Sequence, residues 1–158
     1  MDSPPYDHAV TVEPLVSALG LAATAIGVPT FAVAARYEAR VAHHLALGVE
    51  PDFVHGNALG LRNTAIGAKF GARLALEDAP LTGWFARPTV VVGVGWMSIN
   101  GESLTTALTL GGGLEAGRTW HWRHFVFEVG LGGFWAEPLG HRGGGPLPVV
   151  DLGLGYAW

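Results

Sequence analysis

The chain has no cysteine in its 158 residues, which excludes a disulfide framework, a thiolate metal site and a cysteine nucleophile. Charge is scarce: Asp, Glu, Lys and Arg make up 14% of the sequence, where an ordinary soluble domain carries about a quarter. The charge present leans acidic, to a net −4, so no basic surface is offered to nucleic acid. Long apolar runs are missing too. Glycine, proline or a charged residue interrupts every stretch before the roughly 18 apolar residues that a spanning helix needs. The opening MDSPPYDH lacks the basic and apolar regions of a secretory signal, so an exported form is expected to have lost its signal ahead of this start. The length suits one domain with a full core.

Glycine is plentiful, at 24 residues. It costs about 1 kcal/mol relative to alanine in a helix interior, so helix is disfavoured. Strand is favoured by a different pattern, plainest in the closing VVDLGLGYAW. Side chains on a strand alternate with period two. Leu152, Leu154, Tyr156 and Trp158 therefore share one face, and Asp151, Gly153, Gly155 and Ala157 the other. The alternation recurs upstream. Phe125, Phe127, Val129, Leu131 and Trp135 oppose Val126, Glu128, Gly130 and Gly132. Leu104, Leu108, Leu110 and Leu114 oppose Thr105, Thr109, Gly111, Gly113 and Glu115. Trp84, Val90, Val92, Val94 and Trp96 oppose Arg87, Thr89, Gly93 and Gly95. Ile66, Phe70, Leu74 and Leu76 oppose Gly67, Lys69, Gly71 and Arg73, and Phe31, Val33, Tyr37 and Val41 oppose Arg36, Glu38 and Arg40.

These repeats of about ten residues have the length of a tilted transmembrane strand. Residues 31–50 are too long for one strand, so a tight turn is expected at 41–43. A further strand is placed on VEPLVSALGLA, where Leu15, Leu19 and Leu21 alternate although Pro14 removes a ladder donor. The total is eight. Short connections are expected at 41–43, 77–83 and 117–123, and longer ones at 22–30, 54–63, 97–103 and 136–147. The fold class is therefore all-β, an eight-stranded antiparallel up-and-down transmembrane β-barrel with both termini on the short-turn side. Residues 1–8 are expected to form a short periplasmic tail and residues 9–158 the single barrel domain.

Which face is outside decides between a membrane barrel and a soluble lipocalin- or avidin-like barrel binding an apolar ligand. Three features favour the membrane. Trp84, Trp120, Trp122, Tyr156 and Trp158 fall at the short-turn end, and Trp96 and Trp135 at the other. Trp84 and Trp96 lie about 30 Å apart after tilt, the spacing of two interfacial girdles. The second face is mostly Gly and Ala, which suits a narrow barrel interior. Its charges are phased and balanced, with Arg36, Arg40, Lys69, Arg73 and Arg87 against Glu38, Glu115, Glu128 and Asp151. An interior ion-pair network is expected, with Arg87–Glu115 as its first pair, because buried charges must be paired.

The final alternation with a terminal aromatic, Leu152, Leu154, Tyr156 and Trp158, resembles the C-terminal assembly signal of bacterial outer-membrane proteins. The stretch YEARVAHHLAL resembles the strand–turn–strand of small eight-stranded barrels of the OmpA/OmpX type. That family more often ends on phenylalanine. The resemblance implies a Gram-negative outer membrane, periplasmic termini, a cleaved signal peptide, and contact with outer-membrane lipid, lipopolysaccharide and the barrel-insertion machinery. Anchoring through a second, peptidoglycan-binding domain is not expected.

Some eight-stranded outer-membrane barrels are enzymes acting on lipid A, which need a histidine and an activated serine or water at the outer rim. Only His55 and His141 fall in the expected long loops, with Ser98 and Ser103 on another loop. Catalysis is not expected. A histidine metal site from His43, His44, His121 and His124 lacks a carboxylate at tight spacing, so no metal or other cofactor is expected. Eight strands leave too little room for a wide aqueous pore, although a narrow proton or ion leak along the charges is an alternative. The segments VHGNALGLRN and EPLGHRGGGPLP are the expected places for a protein partner or a surface polysaccharide. The expected role is structural or interaction-based.

Overall fold

A computed structural model of the chain describes residues 6–14, 16–18, 24, 28–77, 81–139 and 145–158. Eight strands run β1 (His8–Val12), β2 (Thr30–Ala42), β3 (Leu45–Ala58), β4 (Leu61–Ala75), β5 (Gly83–Ile99), β6 (Glu102–Trp122), β7 (Phe125–Pro138) and β8 (Gly145–Ala157). Each pairs antiparallel with its sequence neighbour, and β8 closes on β1. The expected strand count and up-and-down order are what the structure shows. Closure gives each strand a paired neighbour on both sides over at least part of its length, so no edge strand of an open sheet remains among the described residues.

The first strand is a correction. It lies at HAVTV, upstream of the expected segment. Glu13 still donates its amide to the Ala34 carbonyl at 3.1 Å. Pro14 has no amide hydrogen and ends the ladder. Pro14 and residues 16–18 are helical, while Leu15, Leu19 and Leu21 lie outside the described residues. The eight-residue tail shortens accordingly, because Tyr6 is buried and β1 begins at His8.

Two expected long loops are also corrected. Segment 54–63 is strand except for a turn at Leu59 and Gly60, and segment 97–103 turns at Asn100 and Gly101. Both turns place two successive residues at positive φ, 52° and 83° in the first, 50° and 88° in the second. That is the hairpin geometry whose twist matches the flanking strands, and Asn-Gly is its preferred pair. On the opposite end the β2–β3 and β6–β7 turns are His43–His44 and Arg123–His124.

The rim opposite these turns is uneven. β6 pairs with β5 from Glu102 but with β7 only from Thr109. The β5–β6 hairpin therefore stands above the neighbouring wall.

Glycines on the inner phase let neighbouring strands approach. A Cβ at Gly155 would lie 1.9 Å from the Val10 carbonyl oxygen and 2.8 Å from Thr11 Cα, both backbone atoms that cannot rotate away. Gly155→Ala is expected to cost about 1–3 kcal/mol, as overpacking does. Gly145→Ala, where a Cβ meets nothing within 4 Å, should leave the urea unfolding midpoint unchanged. Equal midpoints for the two variants would refute the close β8–β1 contact.

Candidate functional site

The inner phase of the barrel carries its chemistry. Strand alternation points Arg36 and Glu38 of β2, Glu50 of β3, Lys69 and Arg73 of β4, and Arg87 of β5 into the lumen. Glu115 and Thr119 of β6, Glu128 of β7 and Asp151 of β8 meet them there, together with Glu13 just past β1.

Arg36 is the hub. Its Nε donates to Glu50 at 2.7 Å, its Nη1 to Glu128 at 2.5 Å, and its Nη2 to Glu13 at 2.7 Å and Asp151 at 2.6 Å. Arg87 donates to Glu128 at 2.6 Å and lies 3.2 Å from Glu115 and 3.3 Å from Asp151 and Glu38. Arg73 donates to Glu128 and to the Thr119 hydroxyl, which itself donates to Glu128 at 2.7 Å. Lys69 donates to Glu50. Arg73 and Glu128 are each only 1% exposed.

The expected Arg87–Glu115 pair is present, directly across the β5–β6 register. Its bonds are longer than those Arg87 makes to Glu128, so Glu128 rather than Glu115 is the acid at the centre. Arg40 is a correction to the expected network. It has the inner phase but sits at the strand end, half-exposed, 3.6 Å from Asp7 at the barrel mouth. Glu13 and Glu50 were not expected and are full members. Glu50 was detectable, since it shares the inner phase with Glu38 and Lys69. Glu13 was hidden by the misplaced first strand.

Counted among the described residues, six carboxylates (Glu13, Glu38, Glu50, Glu115, Glu128 and Asp151) face four cations (Arg36, Lys69, Arg73 and Arg87). Each of the three arginines meets two or more acids, and Lys69 meets Glu50. Such pairs are far stronger with water excluded than at a surface, and correspondingly costly to break.

The network is sealed on the short-turn side by an apolar layer. Tyr6, Ala9, Ala46, Leu81, Val126 and Ala157 pack together there. Phe85, also buried, separates the layers, with the Arg73 and Arg87 guanidinia 4.0 and 4.5 Å from its ring centre. Tyr6 spans the mouth, its hydroxyl donating to the Arg123 carbonyl and its ring stacked on His121 at 4.8 Å. On the other side the lumen opens into a space of about 190 Å³ reached by Asp52, Gly67, Val91, Gly93, Thr109 and Phe134. This arrangement can hold fixed charge and a few waters, but it has a closed floor.

Among His43, His44, His121 and His124, three bond backbone carbonyls. The ring N–H groups of His44, His121 and His124 donate to the carbonyls of Glu77 (3.0 Å), Leu81 (2.6 Å) and Ala157 (2.9 Å). His43 packs edge-on against the His44 ring at 4.6 Å. His55 bonds Thr64 at 2.8 Å, and Ser98 pairs across the β5–β6 turn with Ser103. His141 lies outside the described residues.

The outer phase is the opposite of the lumen. Trp84, Trp96, Trp120, Trp122, Trp135, Tyr156 and Trp158 all stand exposed on the outer wall, as do Leu108, Leu110, Leu114, Val90, Phe127, Leu131 and Leu154. Trp120 stacks on Phe127 at 5.5 Å, and Trp158 lies beside His8 and Tyr156 at 5.7 and 6.3 Å. The last residue is fixed to the first strand: the Asp7 and His8 amides donate to the Trp158 carbonyl, and the Trp158 amide to the His8 carbonyl. The closing segment Leu152, Leu154, Tyr156 and Trp158 thus presents one continuous apolar row on the closing strand. Comparison with known proteins found no matching family model, no matching curated protein and no matching solved structure.

Proposed function

We propose that this chain is an integral β-barrel of a bacterial outer membrane, with its apolar wall in lipid and its termini on the periplasmic side. Its role on this reading is structural or interaction-based, without catalysis and without a wide pore. One observation carries the proposal: the barrel is inverted relative to a soluble protein. Arg36, Arg73, Arg87 and the glutamates that pair with them are enclosed, while leucine, valine, phenylalanine and tryptophan cover the outside. Soluble monomers rarely expose contiguous apolar patches beyond a few hundred Å². A lipocalin-like ligand barrel needs the same residues to point inward.

The aromatic placement and the aromatic-terminated closing strand support the same reading, and so does the resemblance to small eight-stranded outer-membrane barrels. Contact with a partner, or with lipopolysaccharide, would fall on the raised β5–β6 hairpin, where Ile99 and Leu104 are exposed. Of the two expected partner segments, 54–63 is mostly strand and residues 140–144 of EPLGHRGGGPLP lie outside the described residues, so the hairpin becomes the first surface to test.

The experiment is to refold the protein with and without detergent and run it unheated and heated on a gel. A folded, monodisperse species only in detergent, migrating differently once heated, is the expected result. A monodisperse monomer in plain buffer would overturn the proposal.

A further inference from the structure

Arg118 is the exception on the outer wall. In β6 it occupies the outer phase, between Ala116 and Trp120. Its guanidinium lies between two exposed indoles, 5.4 Å from the Trp84 ring centre and 5.5 Å from that of Trp120. Trp84 is its direct register partner across β5. Its Nε is buried without a hydrogen-bond partner. Among the described residues no carboxylate lies within ion-pair distance of it, whereas every luminal arginine meets at least two. The other outer-phase charges on the strands, Arg62, Glu102 and Glu137, all lie near the opposite rim.

A cation on an apolar wall is costly unless it reaches water or meets an anion. Two indole faces stabilise the guanidinium but leave its buried Nε–H without an acceptor, since a ring face accepts no conventional hydrogen bond. A planar guanidinium presents a fork that matches two phosphate oxygens. The geometry points to a phospholipid-binding site: Arg118, held between Trp84 and Trp120, takes the phosphodiester of a glycerophospholipid in the leaflet on the short-turn side. The acyl chains then lie along Leu114 and Leu131, above the aromatic level. Charge complementarity selects this occupant. The tryptophan pair sets the depth, because indoles favour the headgroup level.

This inference rests on the membrane reading, and the test separates the two. The protein is purified in detergent, exposed to phosphatidylglycerol, and examined by native mass spectrometry alongside R118Q and R118K. The wild type is expected to retain one lipid, and R118Q to bind it about tenfold less tightly, the loss of one charge-assisted contact. R118K should fall between them, because an ammonium keeps the charge but not the fork. An unchanged gel shift on heating shows that each variant is a folded barrel. Equal lipid retention by wild type and R118Q overturns the site while leaving the membrane reading intact. Occupancy by inorganic phosphate alone, with no preference for lipid, overturns the phospholipid assignment. A protein that needs no detergent fails the membrane reading first, a result visible before any lipid is added.

Discussion

Arg36→Met is expected to destabilise the barrel by about 3–5 kcal/mol, the cost of removing one partner from a buried ion-pair cluster. The side chain is replaced by an unbranched one of similar volume, so the main effect is electrostatic rather than a cavity. Glu13, Glu50, Glu128 and Asp151 lose their common donor. Glu128 keeps Arg73 and Arg87, and Glu50 keeps Lys69. Because luminal carboxylates already outnumber cations, losing a cation worsens an existing imbalance. Losing an acid relieves it. Glu115→Gln, at a carboxylate that meets Arg87 only at 3.2 Å, should therefore cost about 1 kcal/mol, a typical net hydrogen bond. Urea unfolding in detergent micelles reads both. The double variant Arg36→Met, Glu13→Gln should recover part of the loss, since one carboxylate is removed with its donor. If Arg36→Met unfolds at the wild-type midpoint, or Glu115→Gln costs as much, the charge accounting is wrong.

Val90→Arg should cost about 2–4 kcal/mol in lipid vesicles, the penalty for arginine at the centre of an outer-membrane strand. Val90 is exposed and lies midway along β5 between Trp84 and Trp96. Thr106→Arg supplies the comparison, since Thr106 is the register partner of Trp96 and so stands at the girdle. There the penalty falls to about 0–1 kcal/mol. The depth dependence is the informative part. In water both positions are ordinary surface, where substitutions stay within about ±0.5 kcal/mol. Equal folding free energies for the two variants would place this wall in water.

The phase of seven strands was legible because two different requirements imposed the same alternation. The outer wall takes mainly apolar residues, with Arg118 an exception, and the lumen mainly what fits a narrow space, most often glycine, alanine or a paired charge. β1 lacked that contrast. Its inner residues Ala9 and Thr11 are small, its outer residues are His8, Val10 and Val12, and the three leucines downstream offered a stronger but false alternation. The loops misled for a related reason. Gly56, Asn57 and Asn63 read as turn residues, yet all three lie in paired strand. The hairpin signal that was present, Asn100-Gly101, fixes a two-residue turn within a segment whose composition suggested a longer one. Membership of the network followed from phase, so Arg36, Arg73 and Glu128 could be read directly. Its connectivity could not. Which of several acids Arg36 meets depends on barrel stagger, and stagger leaves no mark on a single strand's alternation.

The hub at Arg36 also has a kinetic meaning. Its four acceptors lie 14, 23, 92 and 115 residues away along the chain. Contacts of such separation make a topology slow to assemble, because the entropy of bringing distant segments together is lost before the contacts form. Arg36 can meet Glu50 as soon as the β2–β3 hairpin exists, but Glu128 and Asp151 arrive only with the last two strands. Until then a guanidinium and several carboxylates wait in a half-built lumen that still admits water. The final closure of β8 on β1 expels that water and completes the acceptor set around Arg36 together. Ring closure is thus the step at which the interior becomes favourable, and intermediates lacking the last hairpin gain little from the charges they already hold.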